Sequence, residues 1–361
     1  MDLARRMRHA AGNQPEQTVV LVSGCGTRNF GDDIIARHWV RYYRPRPVIL
    51  IAGGTRLEFL GSQPHVIEAL TFHEFFAGKL DPSGTPLLIH IVGGGFVNDF
   101  FDVAAPMARA IGPLVENGSR VVCTGTSFFP LQLPQLVASI PFSYCSVRDR
   151  YSSRLPYRHV APRLNGDDAY MIPETELRCD QPQFSPRTLL VCVQSQFGCE
   201  QKLGAIGATL GRIARNDGFE AVRVVQLCDG DEQIFDHVDF QNKDCIRYEA
   251  LMKTGLPQSS NSYFISTRFH FRLLCERLGI PGLGVVINRY YDNKHEHQTS
   301  LDKFLFVGPA ILLDDLLALE HVPKVTPVLR ARMFLRKLKL RALAARNLRA
   351  VRSHQFSAPL A

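Results

Sequence analysis

The chain has 361 residues, enough to bury a sizeable core as two domains or one large one, and its 45% hydrophobic and 21% charged residues fit a folded soluble protein and exclude a disordered one. No window approaches the ~18 uninterrupted apolar residues of a membrane-spanning helix. The net charge of +8 is local, because ten Lys or Arg and no Asp or Glu lie beyond Pro323, leaving 32 basic against 34 acidic residues before it, a balance that does not point to nucleic acid.

Residues 1–17 carry basic side chains but no apolar core of a secretory signal, and read as an N-terminal extension. The nine cysteines contain no C-x-x-C pair, and several lie in apolar runs. This predicts reduced, mostly buried thiols in a cytoplasmic protein rather than a disulfide framework or a zinc ribbon.

From residue 18, short β-branched runs alternate with helical patterns. The runs "TVVLVSGCG", "PVILIAGG", "PLLIHIVGGGF", "SRVVCTGTS" and "FSYCSVRD" fill residues 18–170. Continuous apolar strands with helices between them predict a parallel sheet covered on both faces. After the first run, "NFGDDIIARHW" places Asn29, Gly31, Asp32 and Asp33 at the start of a helix. One carboxylate there caps the helix, and a second suits binding of sugar hydroxyls or action as a general base. The turn is neither G-x-G-x-x-G nor a Walker A loop, which argues against dinucleotide or triphosphate binding at this point.

The run ending in Gly93, Gly94 and Gly95 either exposes amides as an anion nest or permits close helix packing, and Asn98 and Asp99 follow it. Arg148 and Asp149 end the fifth run, where an internal ion pair is the first reading, and Asp167 and Asp168 read as turn residues.

Residues 171–187, polar and with three prolines, predict a linker. The runs "TLLVCVQSQ", "FEAVRVVQLC", "SYFIST" and "GLGVVIN" then predict a second Rossmann-like domain over 188–322. Ligands collect beyond the carboxyl ends of parallel strands, so two such domains predict a site in a cleft between them. In "STRFHFRLLCERLGIP", Phe271, Leu274, Cys275 and Leu278 define one buried face of a helix ending near Gly279. Arg268 and His270 flank that face in the first turn, either as an anion site with a proton-transfer group or as surface caps and internal ion partners. The later segment "YYDNKHEH" brings Lys294, His295 and His297, but its H-x-H spacing lacks the pattern of a metal site. Beyond residue 323 a basic helical tail has a poor apolar stripe, and either meets anionic lipid, stays solvated, or packs across a domain.

In this order, "NFGDD", "VGGGFVND", "SVRDRYS", "GDDAY", "STRFHFRLLCERLGIP" and "YYDNK" resemble the polysaccharide pyruvyl transferase family over Asn29 to Lys294. The resemblance implies two Rossmann-like domains as in the GT-B glycosyltransferases. It also implies transfer of the pyruvyl group of phosphoenolpyruvate to a sugar of an exopolysaccharide or lipid-linked oligosaccharide, as a cyclic ketal with release of phosphate. By motif, phosphoenolpyruvate falls to Arg148, Arg268, His270 and Lys294, assisted by the amides of Gly93 to Gly95. His270 would be the general acid, Asp32 or Asp33 would orient or deprotonate the acceptor, and Asn29, Asn98 and Asp99 would complete its site. The scheme requires no metal or cofactor. Phe269 stands where leucine is common, "YYDNK" replaces a Tyr-Asp-Pro-Lys type of turn, and the tail lies outside the resemblance, where it could hold the enzyme at the inner membrane face. Two rivals remain: a glycosyltransferase of the same fold using a nucleotide sugar, and a non-catalytic protein docking on membrane or nucleic acid through its tail.

Overall fold

A computed structural model describes residues 17–81, 84–177, 186–196, 199–257, 261–287, 310–325 and 327–356. The described residues form two units. The first holds those up to Thr27, Asp32–Met171 and those from Ala342 on; the second holds Arg28–Gly31 and Ile172–Arg341.

The first unit is built on β1 (Val19–Ser23), β2 (Val48–Ala52), β3 (Val66–Thr71), β4 (Leu88–Gly94), β5 (Arg120–Thr126), β6 (Phe142–Val147) and β7 (Arg163–Leu164). They form a seven-stranded parallel sheet in the order β3-β2-β1-β4-β5-β6-β7. Every residue of β1, β2 and β4 is buried, which is why these segments are continuous apolar runs with no alternation. Helix α1 (Phe30–Tyr42) follows β1 and buries Ile34, Ile35 and Trp39, while Met107, Ile111 and Leu114 of α2 (Ala104–Glu116) join Val20, Val22, Ile89 and Ile91 in one core.

The second unit repeats the plan with β8 (Thr188–Cys192), β9 (Ala221–Val225), β10 (Lys243–Ile246), β11 (Tyr263–Ser266), β12 (Gly282–Val286) and β13 (Ala310–Leu312). These six strands are parallel, in the order β10-β9-β8-β11-β12-β13. Ile206, Leu210 and Ile213 of α3 (Leu203–Asn216) recur at i, i+4 and i+7 and pack on Leu189, Val191 and Val222. In each sheet the strand order reverses beside the first strand, so the crevice for a ligand lies beyond β1 and β4 in one unit and beyond β8 and β11 in the other.

Helix α4 (Phe269–Leu278) ends where Gly279 adopts φ +80°, a left-handed cap that glycine takes without steric cost. Its burial differs from the expected single face, since all ten residues are buried. The charged positions survive this because Arg272 Nε donates to Glu276 Oε1 at 2.9 Å, one turn on, inside the protein. Gly284 of β12 makes room for that pair, for a Cβ there would stand 2.7 Å from Arg272 Nη1.

The strands absent from the sequence reading are β3, β7, β10 and β13, and these are the four sheet edges. An edge strand is covered on fewer sides, and β3, β7 and β10 are mostly half-exposed and lack an apolar run. The tail forms α5 (Pro327–Phe356), with Phe334, Leu335 and Leu338 exposed. Its last part is neither free nor solvated all round: Asn347 and Val351 are buried in the first unit. The eight described cysteines are unbridged, and no helix among the described residues is long and apolar enough to cross a membrane.

Candidate functional site

Beyond β1 and β4, the two aspartates of α1 separate in role. Asp33 is fully buried and its Oδ1 accepts from the Gly26 N–H at 2.7 Å, closing the turn after β1. Asp32 is half-buried and faces the glycines of both strand ends: a Cβ on Gly24 would stand 3.4 Å from its Oδ2, and one on Gly94 would stand 3.1 Å from its Oδ1. Gly94 also has φ +109°, so the turn needs glycine for conformation as well as for space. Phe96 lines the same opening. Asp33 is therefore corrected from candidate base to structural brace, and Asp32 is the carboxylate of the pair within reach of solvent.

Below this opening lies a network that the sequence did not suggest. Asp168 Oδ2 accepts from Thr124 Oγ1 at 2.6 Å, Trp39 Nε1 at 2.9 Å and the Gly93 N–H at 3.0 Å. Its Oδ1 is buried with no hydrogen-bond partner among the described residues. Burial pushes the Asp168 carboxyl up to about 7; the Thr124 hydroxyl opposes the rise and the neighbouring Asp167 adds to it. His90, 2.8 Å from Thr124 Oγ1 and 2.7 Å from the Tyr43 hydroxyl, is held neutral by burial, its pKa lowered to about 3. The Gly93 amide is thus committed to a carboxylate, which corrects the expected anion nest: an anion at Gly93 would meet Asp168 behind it.

Arg148 is also corrected. Its Nη1 donates to Asp167 Oδ2 at 2.6 Å, with side chains 2% and 0% exposed, so its charge is balanced inside the unit. The partner is Asp167 and not Asp149, which instead caps a helical turn by accepting from the Ser152 N–H at 2.8 Å. Asn98 and Asp99, expected at the acceptor, hold loops instead. Asn98 is buried and donates to the Gly95 and Phe129 carbonyls at 2.7 and 2.9 Å, and Asp99 accepts from the Gln132 N–H.

Beyond β8 and β11, Arg268 stands at the N-cap of α4 and supplies no capping acceptor. Its guanidinium grips Asp231, with Nε 3.0 Å and Nη2 2.5 Å from Oδ1. Burial raises the Asp231 carboxyl above its ordinary value, and Arg268 opposes that rise. The expected free cation is thus an internal ion partner, 12% exposed. His270 lies in the first turn of α4, 9% exposed, against Gly31, where a Cβ would stand 2.2 Å from its Nδ1. Asn29 Oδ1 accepts from the Gly31 N–H at 3.2 Å, and the Phe30 N–H donates to the Leu227 carbonyl at 2.9 Å, fixing this segment in the second unit. Arg28, which the sequence did not single out, pairs with Asp229 and Glu249 and lies over the Tyr248 ring. On the β8 side, Gln194 is fully buried, and its Oε1 has no hydrogen-bond partner among the described residues. Ser195 follows it against Gly230. Lys294 lies outside the described residues.

No protein-family model matches the chain, and no curated protein does either. Solved structures do. The Arabidopsis thaliana protein UGT89C1 in complex with UDP is 11% identical, covers 94% of this chain and 99% of its own, and superposes with a TM-score of 0.58; its complex with UDP-L-rhamnose gives 0.57 at 10% identity with the same coverage. A Polygonum tinctorium UDP-glucosyltransferase that glucosylates indoxyl is 13% identical over 96% and 100% of the two chains, with a TM-score of 0.55. The S. aureus protein MnaA with UDP is 8% identical over 80% and 88%, at 0.50. These likenesses establish a fold of two Rossmann-like domains of the GT-B kind. They overturn the expectation of phosphoenolpyruvate-dependent pyruvyl transfer, because proteins that share the fold over nearly the whole chain are described with UDP or UDP-sugars. The ion pairs of Arg148 and Arg268 agree, since two of the cations assigned to phosphoenolpyruvate already balance buried carboxylates.

Proposed function

We propose that the chain is a glycosyltransferase that takes a sugar from a nucleoside diphosphate sugar and places it on a hydroxyl of a sugar-containing acceptor. The observation that carries this reading is the second unit's crevice. There the buried Gln194 offers an acceptor with no hydrogen-bond partner among the described residues, beside Ser195 and at the end of the strand next to the one that leads into the His270 helix. Gln194 Oε1 suits an N–H or O–H donor such as a base imide or a ribose hydroxyl. The start of α4, with partial positive charge on its amides, suits the diphosphate, and His270 can donate to a phosphate oxygen. Charge building on a departing diphosphate is stabilised by such groups without a change in their positions.

The first unit takes the acceptor. Asp32 receives the proton of the attacking hydroxyl, and Gly24 and Gly94, having no Cβ, let its carboxylate lie close against both strand ends. Asp33, Asp168 and Asn98 keep the turns around Asp32 in place.

Thermal unfolding with UDP, other nucleoside diphosphates and phosphoenolpyruvate tests this reading. A nucleoside diphosphate at one hundred times its Kd stabilises the fold by about 2.7 kcal/mol, more than phosphoenolpyruvate does at the same concentration. Stabilisation by phosphoenolpyruvate alone would overturn the proposal. A positive result leads to a panel of nucleotide sugars, with nucleotide release dependent on one acceptor as the readout.

A further inference from the structure

A pocket of about 390 Å³ lies at the edge of the first sheet, lined by Tyr144, Arg163, Arg346, Arg349, Ala350 and Ser353. Tyr144 and Arg163 come from β6 and β7, and the rest from the last turns of α5. Arg346, Arg349, Ala350 and Ser353 recur at i, i+3, i+4 and i+7, so one helical face supplies them all. That face is held in place by its neighbours: Asn347, 2% exposed, accepts from the Tyr144 hydroxyl at 2.8 Å and from Asn165 Nδ2 at 2.7 Å. Val351 is fully buried one turn on, and Arg352 lies over the Tyr42 ring.

Three guanidinium groups therefore border one cavity, and among the described residues none of them has a carboxylate within ion-pair distance. Arg163 rests over the Tyr144 ring, 5.7 Å from its centroid, and Arg349 Nε donates to the Ala345 carbonyl at 3.2 Å. The arrangement contrasts with Arg148 and Arg268, which each have a buried aspartate. Like charges on a shared face repel unless an anion joins them, and planar guanidinium groups match the oxygens of a phosphate.

We propose that this pocket is a phosphate-binding site, separate from the crevice of either sheet, which takes a phosphate group carried by a small solute or by a lipid headgroup. Arg163 contributes from the sheet and Arg346 and Arg349 from the tail, so an occupied site ties the end of α5 to β7. The basic tail then has a specific seat for one anion, in place of a diffuse attraction spread over its length.

The test uses the full chain and two probes: pyrophosphate by titration calorimetry, and co-sedimentation with vesicles of phosphatidylglycerol in phosphatidylcholine against phosphatidylcholine alone. The variants are Arg346→Ala/Arg349→Ala, Arg163→Ala, and a control, Arg109→Ala/Lys253→Ala, which removes two exposed cations elsewhere. The tail variant is expected to weaken at least one probe by tenfold or more, and Arg163→Ala to weaken the same probe by several-fold. The control and the UDP-induced thermal shift stay at wild-type values. A loss confined to pyrophosphate identifies a soluble ligand, and a loss confined to the anionic vesicles identifies a headgroup. Binding of neither probe, equal binding by all chains, or a loss in the tail variant that Arg163→Ala does not share would overturn the site.

Discussion

The two sheets share their order through six strands, with β7 extra in the first, and carry different chemistry at the point where that order reverses. In the first unit the crevice is acidic, with Asp32 at its mouth and Asp33, Asp167 and Asp168 buried around it. In the second it is polar, with Gln194, Ser195 and His270, and the charge of Arg268 is balanced there by the buried Asp231. A shared backbone plan thus fixes where a ligand can sit, and the side chains at the strand ends decide which charge it can carry.

The comparison breaks most sharply at Asp32. Asp32→Asn keeps the shape and removes the base, so sugar transfer is expected to fall by roughly 100- to 10,000-fold. The UDP-induced thermal shift should be unchanged. If UDP binding falls as well, the carboxylate belongs to the fold and not to the acceptor.

The buried ion pairs come next. Arg148→Ala leaves Asp167 charged and enclosed, and is expected to cost roughly 3–5 kcal/mol in urea unfolding. Asp231→Asn should cost less, because the charge it leaves behind, Arg268, is 12% exposed against 0% for Asp167 and can be partly hydrated. Equal costs would mean that the two crevices are equally closed to water.

Asp168 and His90 make a pH experiment on the first unit. The folded state holds the Asp168 proton up to about pH 7, while an unfolded carboxylate loses it near 4, so this group makes stability fall as pH rises between those values. His90 stays neutral down to about 3 in the fold and takes a proton near 6.5 when unfolded, so it makes stability fall as pH drops below 6.5. The two slopes oppose each other over the shared window. Asp168→Asn removes one and exposes the other: between pH 6.5 and 4 the variant should lose about 1.4 kcal/mol per pH unit relative to the wild type. Calorimetric melting across this range measures it, and parallel profiles for the two proteins would show that Asp168 is ionised in the fold.

Gly31→Ala has the smallest expected effect. The new methyl must displace His270, which should cost roughly 1–3 kcal/mol. It should also weaken UDP stabilisation while leaving the buried pairs of the first unit untouched. A stability change with unaltered nucleotide binding would remove His270 from the donor site.

Much of the architecture was legible from residue order alone. Central strands such as Val19–Ser23 and Leu88–Gly94 are covered on both faces, which demands unbroken apolar runs, and the glycine ending α4 marks a left-handed cap. The edge strands β3, β7 and β10 were not legible, because an edge is half-exposed and its residues need no pattern, and the three residues of β13 run directly into the helix Leu313–Ala318. The candidate site divided in the same way. Sequence placed Asp32, Asp33, Arg268 and His270 at strand ends, as the alternation of strand and helix requires. Only tertiary contacts decided which charges were already balanced. Asp33 meets an amide seven residues back, Arg148 finds Asp167 nineteen residues on, beyond β7, and Arg268 finds Asp231 from another strand end. Such partners are far apart in the chain, and a local pattern cannot distinguish a charge awaiting a ligand from one that the fold has neutralised.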